Sequence, residues 1–162
     1  MTKRDISSMR TTLEFLKAEN EVLTVKGEVD PIYEISGMEK AAEGGPALLF
    51  ENIKGYPGVR NVGNVFATMP RIAKMFGIED HKQLKFKCLE AIKNPLPPRV
   101  VSQAPCQEVV ITDNIDVMAT MPIIKHTERD AGRILGGSNN FIGGKYFRGG
   151  THLSFNRTHF RG

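Results

Sequence analysis

The stretch from Gly150 to Gly162 constrains the fold more than any other part of the chain. Read with a period of two, Leu153 and Phe155 fall on one face of a strand. The opposite face is polar and carries His152, Ser154, Asn156 and Thr158. This alternation is typical of a half-buried β-strand. Amide oxygens, hydroxyls and imidazoles coordinate cations or hydrogen-bond phosphate, so the polar face is predicted to meet a ligand or solvent.

Glycine pairs divide the sequence that leads up to this strand. Half of the 16 glycines lie between Gly132 and Gly162, and they include the pairs Gly136-Gly137, Gly143-Gly144 and Gly149-Gly150. Glycine-rich connections between short strands are typical of a meander or a small barrel. The sequence from Arg133 onward is therefore predicted to form strands that are separated by these pairs.

Capping residues indicate helices in the first half of the chain. The predicted starts are Ser7 or Ser8, Asp30-Pro31, Thr68 and Asp80. Apolar residues then recur at helical spacing, and the last of these helices has Leu84, Cys88 and Ile92 one turn apart. Short apolar segments between the helices, among them 47–50, predict strands. The first half is therefore predicted to be an α/β domain.

The proline cluster Pro95-Leu-Pro-Pro98 predicts a domain boundary, because proline removes backbone donors and prevents a helix from continuing. Beyond it the helical periodicity fades, and 108–112 is predicted to be a strand. The predicted fold class is α+β. An α/β amino-terminal domain over residues 1–98 is followed, over 99–162, by the first strands of a β-barrel, which is expected to be incomplete.

Composition predicts a soluble, cytoplasmic protein. No apolar run approaches the ~20 residues that span a bilayer, and the amino terminus lacks the apolar core of a signal peptide. Cys88 and Cys106 show no metal-binding spacing and are too few for a disulfide framework. The net charge is +4, and the lysines of segment 82–87 are interpreted as a solvated helix face. Neither a membrane nor a nucleic acid is expected as a partner.

The parity of the last strand limits which side chains can act together. His152 and His159 are seven residues apart, so they fall on opposite faces, and a zinc site that joins them to His126 is disfavoured. Asn156 and Arg161 are five apart and also change face. Either a bulge lies between these two residues, or they contact different parts of a ligand.

The spacing of Asn156 and Arg161, with four residues between them, resembles the signature of the UbiD-type decarboxylases, which use prenylated flavin mononucleotide (FMN) and a divalent metal. Three upstream segments, 45–55, 64–77 and 122–133, also resemble the amino-terminal third of that family, in the family's order. The likeness covers nearly the whole chain.

This resemblance implies a split β-barrel of flavin-binding type and a reversible, non-oxidative decarboxylation of an aromatic or α,β-unsaturated carboxylic acid. The implied cofactors are prenylated FMN and a divalent metal such as manganese, with potassium as a further cation. Asn156 would be a metal ligand. His159, Phe160 and Arg161 would contact the prenylated flavin, and Arg161 would also be the catalytic contact to the substrate carboxylate. His159 departs from the aliphatic or small residue that is usual in the family.

The resemblance also implies that other parts of the machinery lie elsewhere. In the family, a His and a Glu complete the metal shell, another Glu donates a proton, and a further domain forms oligomers; all follow this strand. We therefore expect the 162 residues to be inactive alone, as a truncation, as a subunit or as a remnant. A homo-oligomer, or completion by another chain, is expected. The alternative function is a non-catalytic interaction or accessory domain that keeps the family fold.

Overall fold

A computed structural model describes residues 4–97, 101–146 and 150–160, and within the two longest strands it describes residues 137–146 and 150–155 as backbone. The amino-terminal elements are α1 (Met9–Ala18), β1 (Val22–Val25), α2 (Glu34–Ala41), β2 (Ala47–Phe50), β3 (Asn61–Gly63), α3 (Met69–Phe76) and α4 (Leu84–Lys93). They are followed by α5 (Val117–Thr120), β4 (Arg133–Tyr146) and β5 (Gly150–Phe160). The observed mixture of helices and strands confirms the α+β class, whereas the split barrel remains a prediction.

The first three strands form a sheet in the order β1-β2-β3, in which β1 is parallel to β2 and β3 is antiparallel to it. Because successive side chains of a strand point to opposite faces, the central strand β2 serves two core clusters. Ala47 joins Phe15, Leu16, Val65 and Met75 in one cluster. In the other, Leu48 and Phe50 join Val29, Ile35 and Ile53. This arrangement explains why every residue of β2 is buried.

Local capping fixes α1 and α3 as the sequence predicts. Ser8 caps α1, where its side chain accepts a hydrogen bond from the Thr11 amide at 3.2 Å. Thr68 caps α3 in the same way, and Gly77 ends that helix with a φ of 70°, a left-handed conformation that glycine adopts without strain.

The predicted start of α2 at Asp30-Pro31 is wrong, because the helix begins at Glu34. The Asp30 carboxylate instead accepts a hydrogen bond from the Ile32 amide at 2.8 Å and forms a turn. Ile32 then makes a parallel bridge to Lys125, so the backbone here is committed to a distant segment. This tertiary pairing overrides the local helix signal.

Arg71 of α3 is a buried cation that joins three parts of the amino-terminal domain. Its side chain is 2% exposed, and Nε donates to the Glu21 carboxylate at 3.0 Å. Nη1 donates to the Asn64 carbonyl oxygen at 2.7 Å, and Nη2 donates to that of Gly45. Arg71 thus links the residue before β1, the loop before β2 and the turn after β3. Buried charges require this degree of pairing.

The region after α3 is held by fewer buried contacts. Leu84 is the one buried residue of α4, and the predicted stripe is not covered within the described structure, since Cys88 is exposed and Ile92 is 75% exposed. The strand predicted over 108–112 is wrong, because these residues are exposed and have no strand structure. Among the described residues, none of the helices has the length and apolar character that a bilayer crossing requires.

Strands β4 and β5 form a long antiparallel hairpin. The register shifts between Leu135 and Ser138 and again between Ile142 and Tyr146. The pairs Gly136-Gly137 and Gly143-Gly144 therefore lie within β4, where we predicted connections between strands. Glycine is suited to such bulges because it tolerates the irregular backbone and leaves no side chain unpacked.

Candidate functional site

Asn156, His159 and Phe160 lie at the carboxyl end of β5, next to the first residues of β4. Asn156 pairs with Ser138, His159 with Ile134 and Phe160 with Arg133. The structure therefore brings three of the four predicted site residues onto one strand end. The fourth, Arg161, lies outside the described residues.

A bulge lies beside this group of residues. From the Leu135 pair to the Ser138 pair, β4 advances by three residues, whereas β5 advances by two, from Thr158 to Asn156. The extra residue is therefore in β4, at Gly136-Gly137, and faces the position of Arg157. Such a bulge bends the strand and increases its twist. For Asn156 and Arg161 we considered either a bulge between them or contacts with different parts of a ligand. The bulge that is observed, opposite Arg157, lies in β4 and not in β5.

The side chains at this end differ in their environment. Asn156 is exposed and Thr158 is half-buried. An amide oxygen is a suitable ligand for a hard divalent cation, and a hydroxyl can hydrogen-bond a phosphate or coordinate a cation. Among the residues whose side chains the structure describes, no group of three or more His, Cys, Asp or Glu is placed to hold a metal. Asn156, with its exposed amide, remains the predicted metal ligand at this strand end, and the histidine zinc site involves His152, whose side chain lies outside the described residues.

His159 carries a buried polar atom that no described residue pairs with. The ring is half-buried, and its Nε2 is buried without a hydrogen-bond partner among the described residues. A buried polar atom in this state costs free energy, about 1–3 kcal/mol in mutational data. The strand end thus contains a buried imidazole nitrogen, next to Gly132, that no described residue satisfies.

Gly132 makes room for this strand end. A Cβ atom at this position would lie 2.2 Å from the Phe160 carbonyl oxygen and 3.2 Å from His159 Nε2. The first of these contacts is with backbone and cannot be relieved by a side-chain rotation. The absence of a side chain at residue 132 therefore allows the chain to approach β5 closely.

Gly132→Ala is expected to lower the free energy of unfolding by about 1–3 kcal/mol, as overpacking does in other proteins. The added methyl group must displace the Phe160 backbone, so hydrogen exchange should increase at the end of the hairpin. Gly136→Ala is the matched control, because nothing lies within 4 Å of a Cβ there. Equal stabilities of the two variants in urea unfolding would contradict the close approach.

A second feature, a cleft of about 500 Å³, lies between the hairpin and the amino-terminal domain. Its lining includes apolar side chains of Val62, Ile123 and Ile134 and the polar side chains of Glu39 and His126. Burial raises the pKa of Glu39, and the nearby His126 opposes that shift. No motif marks Glu39 in the sequence, and a half-buried carboxyl group at this position can be found only from the tertiary structure.

Glu39→Gln is expected to raise stability at pH 7 by about 1 kcal/mol, because a neutral amide avoids the cost of burying a carboxylate. A raised pKa in the folded state means that the contribution of Glu39 is fully present below its unfolded pKa and is lost as the pH rises through the folded pKa. The gain should therefore shrink toward pH 4. Urea unfolding between pH 4 and pH 8 measures this trend.

Glu43→Gln provides the control for this experiment. Glu43 is an exposed member of an ion pair with Lys40 on the same part of the chain. Its replacement should change stability by less than about 1 kcal/mol at any of these pH values. A loss of stability in Glu39→Gln at pH 7 would show that the carboxylate form is favoured in the fold, contrary to its burial.

Comparison with known proteins connects this geometry to a family. Residues 13–86 match the 3-octaprenyl-4-hydroxybenzoate carboxy-lyase N-terminal domain, and residues 99–162 match the Rift-related domain of the same carboxy-lyase. The phenolic acid decarboxylase of Sedimentibacter hydroxybenzoicus is 34% identical over 134 residues, which cover 76% of this chain and 28% of that protein. The gallate decarboxylase of Lactiplantibacillus plantarum is 32% identical over 120 residues, 65% of this chain and 24% of that protein.

Solved structures agree with the sequence matches. The UbiD-class enzyme HmfF from Pelotomaculum thermopropionicum, in complex with prenylated FMN, has a TM-score of 0.83 and 32% identity, covering 93% of this chain and 35% of that chain. The closed form of the vanillic acid decarboxylase of Sedimentibacter hydroxybenzoicus has a TM-score of 0.87 and 26% identity, covering 98% and 36%.

The two matches are to domains of the same carboxy-lyase, and they follow one another along the chain. Together with the decarboxylase relatives and the UbiD-class structures, they cover most of the helices and strands before the proline cluster and the whole β4–β5 hairpin. The chain spans 28% of the length of the two phenolic acid decarboxylases that it matches. The chain belongs to the UbiD family of carboxy-lyases, with sequence from the amino-terminal domain and the Rift-related domain of that family.

Proposed function

We propose that this chain supplies the amino-terminal part of a non-oxidative, reversible decarboxylase, and that the end of its β4–β5 hairpin forms one wall of a site for prenylated FMN and a divalent metal. One observation carries the proposal. Asn156, His159 and Phe160 lie together on one strand end of a chain that belongs to a decarboxylase family. Beside them, the buried Nε2 of His159 has no hydrogen-bond partner among the described residues, which supports a partner from outside them.

The chemistry explains why a cofactor is needed. Loss of a carboxyl group from an aromatic or α,β-unsaturated acid leaves electron density on carbon, which side chains cannot accept. The prenylated flavin, when bound, provides that electron sink. The task of the protein is to bind, to orient and to exclude water.

Each residue of the strand end has a proposed part in this task. The amide oxygen of Asn156 holds the divalent metal, for which we propose manganese, with potassium as a further cation. His159 and Phe160 contact the cofactor largely through backbone and packing. The guanidinium of Arg161 orients the substrate carboxylate by paired, charge-assisted hydrogen bonds.

We further propose that residues 1–98 and 99–162 are two domains, and that the second begins a split barrel. Helix α4 ends at Lys93, directly before the proline cluster, which supports a boundary there. The substrate proposed is an aromatic or α,β-unsaturated carboxylic acid. Relatives named for phenolic acids, gallate and vanillic acid support the aromatic class. We place the protein in the cytoplasm, as a homo-oligomer or completed by another chain.

A non-catalytic interaction domain is the second candidate, and the apolar surface after the proline cluster favours it. Val109 and Val110 are 75% and 73% exposed, and Ile115 is 65% exposed. An exposed apolar segment of this kind marks a surface that another part of a protein covers. The same surface is also consistent with the decarboxylase proposal, so activity must decide between the two.

The deciding experiment is a fusion protein in which residues 1–162 replace the matching part of the Sedimentibacter phenolic acid decarboxylase. The fusion is produced together with a flavin prenyltransferase and assayed for carbon dioxide release from a phenolic acid. We expect activity that is lost in Arg161→Ala. A folded fusion that contains the cofactor but is inactive would favour the interaction domain, and the intact relative provides the positive control.

A further inference from the structure

A hydrogen-bonded chain joins the amino-terminal core to the first residue of β4. Nη1 of Arg133 donates to the hydroxyl oxygen of Tyr56 at 3.0 Å. The Tyr56 hydroxyl in turn donates to the carbonyl oxygen of Met118 at 2.5 Å, and Arg133 Nη1 also lies 3.5 Å from the carbonyl oxygen of Ile123. One tyrosine hydroxyl therefore connects two segments that are 77 and 62 residues away in sequence.

Tyr56 is a fixed part of the amino-terminal domain. Its amide donates to the Ile53 carbonyl oxygen at 2.9 Å, and Ile53 is 2% exposed. The Tyr56 ring packs against the core cluster that contains Ile53 and Phe50. The turn around it uses Gly55 and Gly58, both with a positive φ. The hydroxyl group is thus presented from a rigid support.

Arg133 connects this support to the end of β5. It is opposite Phe160 in the strand register, and the preceding residue, Gly132, lies against the Phe160 carbonyl oxygen. The side chain of one residue thus contacts the core, while its backbone pairs with the strand that carries the candidate site. A shift of Arg133 would move Phe160 and His159 with it.

We propose that Tyr56 and Arg133 form a clasp that positions the carboxyl end of β5, and that both are positioning residues for the cofactor site; the cofactor part of this inference rests on the proposed function. A tyrosine hydroxyl both donates and accepts, so it can join Met118 to Arg133. The bond from a guanidinium is charge-assisted and stronger than a neutral one. Phenylalanine at residue 56 would remove both bonds and keep the packed ring.

Hydrogen exchange of the full chain tests the clasp without any cofactor. In Tyr56→Phe we expect exchange at the amides of 133–135 and 158–160 to rise by about 10-fold, the effect of losing roughly 1.4 kcal/mol of local stability. The amides of β2 should keep their protection. Exchange in Arg133→Met should rise as much as in Tyr56→Phe. Exchange in Arg133→Lys should lie between that of Arg133→Met and that of the unchanged chain, because lysine keeps the positive charge but lacks the several donors of the guanidinium group.

Tyr33→Phe is the matched control. Tyr33 contacts Lys125 through its ring, with Nζ 5.5 Å from the ring centroid, and phenylalanine keeps such a contact. Exchange at the hairpin should be unchanged in this variant. Unchanged hairpin exchange in Tyr56→Phe, or an equal rise in β2, would overturn the clasp.

Flavin occupancy of the fusion protein tests the cofactor part. Tyr56→Phe and Arg133→Met should lower the bound flavin by several-fold while the melting temperature of the fusion changes little. A looser hairpin with full flavin occupancy would overturn the positioning role. If the unmodified fusion binds no flavin, the proposed function fails and the cofactor part of this inference fails with it, whereas exchange in the full chain still decides the clasp.

Discussion

Replacing Arg71 with methionine is expected to lower the free energy of unfolding by about 3–5 kcal/mol, the range for breaking a buried ion pair. Methionine fills the volume of the arginine stem but donates no hydrogen bond. The carbonyl oxygens of Asn64 and Gly45 would lose their side-chain donor, and the carboxylate of Glu21 would lose one of its cations. Urea unfolding at constant pH measures the loss.

Lys74→Met is the control, because Lys74 donates to the same Glu21 carboxylate at 2.9 Å but is 40% exposed. An exposed pair contributes less than about 1 kcal/mol. A hydrogen bond from Lys74, and a weaker one from Arg71, lower the pKa of Glu21. The contribution of Glu21 to stability is therefore present above its unfolded pKa and is lost as the pH falls through its folded pKa. Equal effects of the two variants would contradict the buried network.

Asn156→Ala is expected to lower the manganese affinity of the fusion protein by about 100-fold or more, since changes one shell further from a metal already cost about 10–100-fold. The variant removes the amide oxygen of the proposed metal ligand. Titration with Mn²⁺, followed by the electron paramagnetic resonance of the free ion, measures the affinity. Asn156→Asp keeps an oxygen ligand and adds a charge, and it should restore most of the binding.

Arg157→Ala is the matched control for the metal site. Arg157 is the next residue of β5, is exposed and points to the opposite face by the alternation of the strand. Its removal should leave manganese affinity within a few-fold of the unmodified fusion. If Asn156→Ala and Arg157→Ala bind the ion equally well, the metal ligand is not Asn156.

The fold was predictable where short-range chemistry determines it. Helices α1 and α3 follow their caps at Ser8 and Thr68, and β2 follows a short apolar run. The prediction at Asp30-Pro31 was wrong because residues 31–33 are bound to Lys125, through Tyr33 N to Lys125 O at 2.9 Å and Lys125 N to Pro31 O at 3.1 Å. A local capping signal contains no information about a partner so far along the chain.

Helical periodicity in the sequence identified apolar surfaces, but it did not show whether other parts of the protein cover them. The stripe of α4 has helical spacing, yet Ile92 is 75% exposed. The prediction that the glycine pairs at 136–137 and 143–144 separate strands was wrong, because both pairs lie within β4 at irregularities of the register. Turns and bulges both favour glycine, so composition alone does not distinguish them.

The candidate site was predictable only in part. The spacing of Asn156 and Arg161 points to β5, because a family signature is a local pattern. The residues that support β5 have no such pattern. Tyr56 and Arg133 are 77 residues apart and meet through tertiary packing, and Glu39 becomes notable only through its burial in the cleft.

The most direct test of the central claim is the flavin and metal content of the fusion protein after production with a flavin prenyltransferase. If β5 forms a wall of the cofactor site, the purified fusion should show flavin absorbance and close to one manganese ion per chain, and Asn156→Ala should lose both. A folded fusion that is colourless and free of metal would contradict the account.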